Sequence, residues 1–390
     1  MFVRVAKRWA AAASGVVLIA GLMVAGAGVA SADEPAPDCS QAGTSGFTAA
    51  VVAAAGQTIS RRTINATGCD VGIYVDAPDV TISQVTVKNA NAAGILVFDT
   101  HDVTVMRSTV TGNGFVTQIP ASHESSAPGD LPQAFAISLF GVSDALVTQN
   151  KVYNNGRGGI GVMDDGPSGP GRVVGGPGFP MDAVSVSNVI VSRNTLWANY
   201  SGCAIVVSAF NFGNTVSGVT ITQNTVRGTG FGELGADVGG IVAQSNGPYS
   251  TVSNITISRN TVTDSVEAGV IVHAAAPGSQ TANVTVTRNT LSGNNLGYKA
   301  PDSEVDNTAG VVVSVIGPPP NVPICPNDDP TSPLCFINPG EMNESTVVSR
   351  NKITDQYYGV WTSGPNPPTL FRNDISATVD VYTAPPPSGP

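Results

Sequence analysis

The chain has 390 residues and a formal net charge of −10, with only 12% of its residues charged. Such an acidic protein repels nucleic acids and anionic lipids, so both are disfavoured as partners. Its 44 glycines and its many Ser, Thr, Asn and Val residues are typical of an all-β protein with frequent tight turns.

Residues 1–32 form a predicted signal peptide. Basic residues precede an apolar or small run over residues 15–29, and Ala30-Ser31-Ala32 supplies a small-residue cleavage pattern. An uncleaved anchor is the alternative, because about 20 apolar residues can span a bilayer. Cleavage would leave 15 basic and 28 acidic residues, a net charge of −13, and no later stretch is apolar enough to cross a membrane. We therefore expect a secreted or cell-surface protein without a membrane segment after cleavage.

Residues 33–68 are predicted to form an N-terminal segment and cap. The stretch FTAAVVAAAG, residues 47–56, has the pattern of a short amphipathic helix. Such a helix would cover the exposed first coil of the fold described below, whose apolar side chains and unpaired strand edge would otherwise face water.

The five cysteines fit an oxidising compartment. Cys39 and Cys69 would tie the N-terminal segment to the first turns, and Cys325 and Cys335 would clip the short loop between them. Cys203, in SGCAIVV, is interpreted as a small buried thiol. Three connectivities remain open for the other four cysteines.

Two short phrases alternate along the rest of the chain. The first is apolar-x-apolar-x-x-Asn, sometimes shortened: VTVKN at 85, ALVTQN at 145, VIVSRN at 189, VTITQN at 219, ITISRN at 255, VTVTRN at 284, TVVSRN at 346 and TLFRN at 369. The second is Gly-apolar-x-apolar, with Ala replacing Gly twice: GIYV at 72, GILV at 94, AISL at 136, GIGV at 159, AIVV at 204, GIVA at 240, GVIV at 269, GVVV at 310 and GVWT at 359. Each phrase alternates apolar and other residues as a strand does.

Two short strands in every 20 or so residues predict a parallel β-helix, in which each coil stacks on the last at about 4.8 Å. We expect about nine coils over residues 69–383, long loop insertions, and a Pro-rich disordered tail over residues 384–390. A meander of hairpins is disfavoured, because Asn-Gly-type turns do not separate the strands.

The recurring Asn is predicted to occupy one turn on successive coils. Asn tolerates the left-handed backbone of a sharp bend, and its side-chain amide can bond to backbone or to the next Asn in the stack. Ser108 is the one replacement in the predicted column, which comprises Asn89, Asn150, Asn194, Asn224, Asn260, Asn289, Asn351 and Asn373.

These phrases resemble the right-handed parallel β-helix repeats of the pectin-lyase-like superfamily, and the signal sequence resembles actinobacterial ones. The resemblance implies a right-handed coil. It leaves the activity open, because the superfamily includes polysaccharide lyases, glycoside hydrolases, uronate epimerases, tailspikes and non-enzymatic surface proteins.

Stacking predicts two outward-facing rows on the Gly-containing strands. The first row is Tyr74, Leu96, Ser138, Gly161, Val206, Val242, Ile271, Val312 and Trp361; the second is Asp76, Phe98, Phe140, Met163, Ser208, Gln244, His273, Ser314 and Ser363. Neither row contains the basic residue and acidic set that pectate lyases use. The polygalacturonase motifs Asn-Thr-Asp, Gly-His-Gly and Arg-Ile-Lys are also missing from the sequence.

An acidic cluster at one end of these strands is the candidate catalytic or metal site. Its members are Asp76, Asp99, His101, Asp102, Asp164 and Asp165. Close carboxylates repel unless they share a proton or a cation, so Asp76, Asp99 and Asp164 are candidate Ca²⁺ ligands. The candidate acid/base groups are Asp99, His101, Asp102, Asp164 and Asp165. The phrase Asp-Thr-His-Asp also resembles the Asp-Pro-His-Asp motif of alginate epimerases, with Thr100 in place of Pro. Ordinary turn residues are the alternative interpretation.

A second candidate is a polar strip on the outward rows. His273 should lie next to Gln244, with Tyr74 and Trp361 on the same face, so that these side chains would hydrogen-bond and stack a sugar. A solvated polar face is the alternative.

Two functions follow from these features. The first is a non-catalytic exported protein that binds extracellular or cell-wall polysaccharide. The alternative is a polysaccharide lyase, uronate epimerase or glycoside hydrolase that uses the acidic cluster.

Overall fold

The computed structural model describes residues 38–42, 47–115, 135–164, 185–211, 213–230, 239–295, 309–315, 323–324, 336–337, 340 and 342–384. All of them belong to one compact unit. The described residues contain no helix, and therefore none long and apolar enough to cross a membrane.

Each coil contributes one strand to each of three faces that enclose the core. Face 1 consists of β3 (Thr58–Ser60), β6 (Thr81–Ser83), β9 (Thr104–Met106), β12 (Ser143–Thr148), β15 (Val186–Ser192), β18 (Thr215–Thr222), β21 (Thr251–Ser258), β24 (Gln280–Thr287), β29 (Met342–Glu344) with β30 (Val347–Ser349), and β32 (Thr369–Phe371). Face 2 consists of β4 (Thr63–Asn65), β7 (Thr86–Lys88), β10 (Thr109–Thr111), β13 (Lys151–Tyr153), β16 (Thr195–Asn199), β19 (Thr225–Thr229), β22 (Thr261–Thr263), β25 (Thr290–Ser292), and the first parts of β31 (Lys352–Thr362) and β33 (Asp374–Thr383).

Face 3 consists of β2 (Phe47–Val52), β5 (Val71–Val75), β8 (Ala93–Phe98), β11 (Ile137–Phe140), β14 (Ile160–Met163), β17 (Ile205–Ala209), β20 (Gly239–Ser245), β23 (Ala268–Ala274), β26 (Ala309–Val315), and the second parts of β31 and β33. Neighbouring strands within each face pair in parallel, as predicted for a β-helix. Outside the faces, β1 (Ser40–Ala42) pairs antiparallel with β2, and β27 (Pro323–Ile324) pairs antiparallel with β28 (Phe336–Ile337).

The predicted N-terminal helix is wrong. Residues 47–52 form β2, which pairs in parallel with β5, and β3 and β4 likewise pair with β6 and β7. The Val and Thr residues of this stretch suit a strand as well as a helix, and the sheet edge offered by β5 decides between them. The parallel stack therefore starts at β2, ahead of residue 69, and β1 covers its first strand.

The core is built from inward rows of aliphatic side chains that all three faces contribute. Face 1 contributes Ile59, Ile82, Val105, Val147, Val191, Ile221, Ile257, Val286 and Val348, all at most 2% exposed and in register from coil to coil. Each such side chain contributes roughly 1.5–3 kcal/mol by burial. The regular rows explain why the strands are rich in Val and Ile.

The corner between faces 1 and 2, here called corner 1–2, contains the predicted ladder of asparagines. In each step, Oδ1 of one Asn accepts from both the backbone N and the Nδ2 of the Asn one coil earlier, at 2.9–3.1 Å. The ladder runs through Asn150, Asn194, Asn224, Asn260, Asn289, Asn351 and Asn373, and Ser108 precedes Asn150 as predicted.

Asn89 is not part of this ladder. Val85 occupies the level before Ser108, and its backbone N donates to Ser108 Oγ at 3.3 Å. The phrase VTVKN lies on face 2, so that its terminal Asn89 is exposed at the next corner and donates to Asn65 Oδ1 at 2.9 Å.

The left-handed residue at corner 1–2 is the one before each ladder Asn, which corrects the expected role of the Asn backbone. Gln223, before Asn224, has φ 58°, and Arg259, before Asn260, has φ 56°. The ladder Asn is therefore selected for its buried amide.

A second, interrupted ladder lies at corner 2–3, between faces 2 and 3. Asn113, Asn155 and Asn199 are linked by the same pair of bonds, at 2.9–3.3 Å. Asn294 accepts from the backbone N of Ser265 at 3.1 Å further along the stack. These buried amides were not predicted.

Cys39 and Cys69 form a disulfide, so that one of the expected pairings is confirmed, with Cα atoms 5.4 Å apart. Cys203 is buried at 6% exposure among the side chains of face 3, as predicted. Cys325 and Cys335 lie outside the described residues.

Candidate functional site

His101 and Asp102 lie at corner 3–1, between faces 3 and 1. His101 Nδ1 is 2.8 Å from Asp102 Oδ2, and both side chains are 55% exposed. Asp79 and Asp144 occupy the equivalent turn position on the coils before and after Asp102, and all three Asp residues have φ between 53° and 60°. Three carboxylates and one imidazole therefore share an exposed edge, which we call the acidic edge.

The hydrogen bond to Asp102 raises the pKa of His101 above its ordinary value. Desolvation lowers it, while the negative charges of Asp102, Asp79 and Asp144 raise it further. A histidine that is hydrogen-bonded to a carboxylate can take up or release a proton near neutral pH, which is the chemistry of a general acid or base.

The other predicted acidic residues do not join this edge. Asp76 follows Val75, whose register partner is Val97, so Asp76 is level with Phe98 and Asp99 lies one residue further along. Asp99 is exposed, has φ 43°, and lies two coils from the level of Asp164.

Asp164 is fully buried and serves the fold. Its Oδ1 accepts from the backbone N of Phe210 at 2.9 Å, and its Oδ2 accepts from Asn211 N at 2.8 Å and from Asn214 Nδ2 at 3.1 Å. Burial raises the pKa of Asp164, and these hydrogen bonds oppose the rise. Both oxygens are thus committed to the turn of the next coil.

No group of three His, Cys, Asp or Glu side chains is placed to hold a metal ion, as far as the described residues extend. The proposed Ca²⁺ ligands Asp76, Asp99 and Asp164 accordingly do not form such a group. Asp165 lies outside the described residues.

The outward rows of face 3 have the predicted register but are buried, apart from the exposed Asp76 and the partly exposed Phe98 and Phe140. Tyr74 pairs with Leu96, and Gln244 with His273, as expected. Yet Tyr74 is 3% exposed, His273 0% and Trp361 6%, within apolar clusters that cover this face. His273 Nε2 lies 2.8 Å from Gln244 Oε1 in this buried setting. The strip is therefore not an open sugar-binding surface.

A different aromatic pair is accessible on face 2. Tyr153 and Trp197 are register partners on adjacent coils, and their rings stack with centroids 4.2 Å apart and planes 8° from parallel. Both point outward and are partly exposed. Since Tyr153 covers one face of the indole, the opposite face of Trp197 is directed toward the next coil.

A shallow groove begins at that face of Trp197. The next coil places Arg227 in register with Trp197, and Arg227 Nε lies 3.3 Å from Asp264 Oδ2. Trp197, Thr225, Arg227, Gly228 and Asp264 are among the residues that line the groove. An aromatic surface thus adjoins a cation, a carboxylate and a hydroxyl; we call Tyr153, Trp197, Arg227 and Asp264 the aromatic shelf.

The shelf was missed because outward rows were derived only for the strands that follow Gly. The signal is nevertheless in the sequence: the third residue after each ladder Asn points outward on face 2, and at this position stand Tyr153, Trp197 and Arg227.

The stacked parallel strands and these outward rows define a solenoid of the right-handed parallel β-helix class. Residues 48–314, more than half of the chain, match the family described as the right-handed β-helix region. The chain belongs to this family.

Several solved structures are similar to the chain at low sequence identity. The A-module of the mannuronan C-5 epimerase AlgE4 of Azotobacter vinelandii is 16% identical, with 88% of this chain and 76% of that chain covered and a TM-score of 0.45. XylC in complex with xylose is 11% identical, with 76% and 36% covered and a TM-score of 0.37. The alginate lyase AlyF-OU02 is 9% identical, with 79% and 67% covered and a TM-score of 0.30. No curated protein shows significant sequence similarity to this chain.

Proposed function

We propose that the protein is exported and binds extracellular or cell-wall polysaccharide without modifying it, through the aromatic shelf. The observation that carries this proposal is the stacked, partly exposed pair Tyr153 and Trp197. An aromatic face accepts the apolar face of a sugar ring, while nearby polar side chains bond to its hydroxyl groups. Arg227 and Asp264 supply a donor and an acceptor beside the indole.

The shelf is also favourable because it is rigid. Both aromatic residues lie on strands, in register within a stack, so little conformational freedom is lost when a ligand binds. Large rigid side chains at the centre of a binding surface commonly contribute most of its affinity.

The test is a binding panel of neutral and uronate-containing polysaccharides with the wild type and Trp197→Ala. We expect the variant to bind its best glycan about tenfold more weakly, because an anchoring Trp contributes more than about 1 kcal/mol. The matched control is Tyr200→Ala, which removes an aromatic residue that is 56% exposed on the same coil but outside the shelf. Equal affinities of wild type and Trp197→Ala would rule the shelf out.

The acidic edge supports a second candidate function, an enzyme that cleaves or epimerises a polysaccharide. The supporting observation is the exposed His101–Asp102 pair between Asp79 and Asp144. If this candidate is correct, incubation of the protein with the same panel, with and without Ca²⁺, should yield unsaturated ends from a lyase, new reducing ends from a hydrolase, or a changed ratio of uronate epimers from an epimerase. His101→Ala should then abolish the products. A panel without products, on glycans that the protein does bind, would leave the binding function alone.

A further inference from the structure

The residues that precede the corner 1–2 ladder form a column of their own on the surface. The column, here called the ridge, has one exposed member per coil: Arg61, Gln84, Arg107, Gln149, Arg193, Gln223, Arg259, Arg288, Arg350 and Arg372. All have φ between 49° and 59°. The backbone N of each of the first nine bonds to the next coil, as Arg259 N does to Thr287 O at 3.2 Å, so ridge members follow one another at the strand spacing of about 4.8 Å.

The turn itself does not require arginine. Left-handed positions favour Gly, Asn and Asp, and the other two corners mostly have these residue types. Corner 3–1 has Asp79, Asp102, Asp144, Asn188, Gly218, Asn254, Asn283 and Ser345, and corner 2–3 has Asn89, Gly112, Asn154, Ala198, Gly228, Asp264, Gly293 and Asp355. Corner 1–2 alone has only Arg and Gln. Backbone conformation therefore does not explain why Arg and Gln occupy corner 1–2.

The two halves of the ridge differ in charge. In the N-terminal half, Arg and Gln alternate, and each Arg is bonded to the Gln of the next coil, as Arg107 Nε is to Gln149 Oε1 at 2.9 Å and Arg193 Nε to Gln223 Oε1 at 3.0 Å. The C-terminal half has four arginines on consecutive coils: Arg259, Arg288, Arg350 and Arg372.

These four arginines make no ion pair with any residue that the structure describes. The ion pairs among the described residues are His101–Asp102 and Arg227–Asp264. Like charges at this spacing repel, and an acidic protein could relieve the repulsion with Gln, as it does at three earlier coils. A protein with a net negative charge thus has a row of guanidinium groups that no described carboxylate neutralises.

We propose that this row binds an acidic polysaccharide that lies along the solenoid axis. The proposal rests on the proposed glycan-binding function and names the ligand class. The guanidinium groups present one cation per coil, which suits a linear polymer with one carboxylate on each sugar. Ser258 and Thr287, in the outward row beside the ridge, offer hydroxyl groups to the sugars.

Nucleic acid fits the row less well. Along the axis of a DNA duplex, each strand presents one phosphate per about 3.4 Å, whereas the arginines repeat at about 4.8 Å. Sequence-tolerant binding of single strands also uses a series of aromatic side chains to stack the bases. The row beside the four arginines has a single aromatic residue instead of a series, and consists of Ser258, Thr287, Ser349 and Phe371.

The experiment measures the affinity of the protein for polygalacturonate at about 0.01 M and about 0.15 M salt, where the screening length falls from roughly 30 Å to roughly 8 Å. We expect binding that weakens with salt, and a loss of roughly tenfold at low salt in the double variant Arg288→Gln/Arg350→Gln. Gln already occupies this turn at Gln84, Gln149 and Gln223, so the variant should fold.

The matched control is Lys88→Gln/Lys151→Gln, which removes two positive charges from N-terminal coils of face 2 and should leave the affinity unchanged. Arg288→Lys/Arg350→Lys should retain most of the binding, because charge is the main requirement. Equal affinity of wild type and the Arg→Gln variant would overturn the proposal, as would equal loss in the Lys→Gln control.

Three further probes decide the ligand class. Pullulan, a neutral glycan, should be insensitive to the Arg→Gln change; oligo-thymidine and phosphatidylserine vesicles should bind more weakly than polygalacturonate. Tighter binding of either one through these arginines would replace the acidic glycan as the ligand. If the aromatic shelf does not bind glycan, a separate result will show it: Trp197→Ala will not change glycan binding.

Discussion

At corner 1–2 two columns, the Asn ladder and the ridge, lie side by side and differ in burial, residue type and bonding. The ladder asparagines are buried, except for the half-buried Asn373 at the end, and are bonded to each other along the axis. The ridge residues, one position earlier, are exposed and vary between Arg and Gln. At a single corner, one residue per coil therefore holds the coils together, and its neighbour is available for an external partner.

The largest expected effect is the loss of a ladder amide. In Asn224→Ala, Asn194 N and Nδ2 lose their acceptor, and Val191 O loses the Nδ2 donor. Asn260 Oδ1 loses one of its two donors and keeps the backbone N of residue 224. Unsatisfied buried polar groups cost about 1–3 kcal/mol each, so we expect a loss of about 3 kcal/mol or more in the free energy of unfolding, measured in urea.

The control for this change is Asn188→Gly, at an exposed left-handed turn where the next coil already has Gly218. It should change the free energy of unfolding by less than about 0.5 kcal/mol. If both Asn variants proved equally stable, the contrast between the buried and the exposed column would fail.

Asp164 extends the contrast to corner 3–1, where a buried carboxylate takes the place of the amide. Asp164→Ala leaves the backbone N–H groups of Phe210 and Asn211 without their acceptor, and we expect it to destabilise the protein by roughly 2–3 kcal/mol. Asp76→Ala, at an exposed carboxylate, is the comparison. Similar melting temperatures for the two variants would show that Asp164 does not anchor this turn.

On the ridge, the same measurement should show almost nothing. Arg288→Gln is expected to change the free energy of unfolding by less than about 0.5 kcal/mol, because the residue is exposed and Gln occupies equivalent turns. A large loss of stability would mean that the ridge is part of the framework, and would weaken the case for an external ligand.

The smallest effect concerns a single proton on the acidic edge. Because Asp102 and its neighbours raise the pKa of His101, Asp102→Asn should lower that pKa toward the ordinary value, as followed by NMR titration. In the wild type, the stabilisation that charged His101 gains from Asp102 is fully present below the unfolded-state pKa and is lost as the pH rises through the higher folded-state pKa. A titration curve that is unchanged in Asp102→Asn would exclude Asp102 as the cause.

The coil, its parallel direction and the register of face 3 could be predicted because alternation and the Gly phrase repeat without interruption inside each strand. The pairing of Val312 with Trp361 follows directly from that repeat. Exposure could not be predicted in the same way. Alternation shows which side of a strand a residue points to, whereas the burial of His273 depends on what packs on that side.

The errors at the corners have a similar origin. VTVKN matches the ladder phrase in sequence, yet its Asn89 directly follows a face 2 strand and donates to Asn65. Asn89 itself has a left-handed backbone, whereas in the ladder the residue before each Asn is left-handed. Asp164 was expected at an open edge because it directly follows Met163, the outward position at the end of its strand. Its partners, Phe210, Asn211 and Asn214, come from the next coil, about 50 residues later, which no local pattern identifies.

Consecutive asparagines of the ladder are separated by 22 to 62 residues of chain, yet the amide contacts at these two extremes are 3.1 and 3.0 Å long. The ladder thus keeps the spacing between coils constant, whatever the length of the chain between two ladder residues. In evolution, a loop of one coil can therefore be lengthened or replaced without disturbing the coils on either side, and new surface chemistry can arise on an unchanged solenoid.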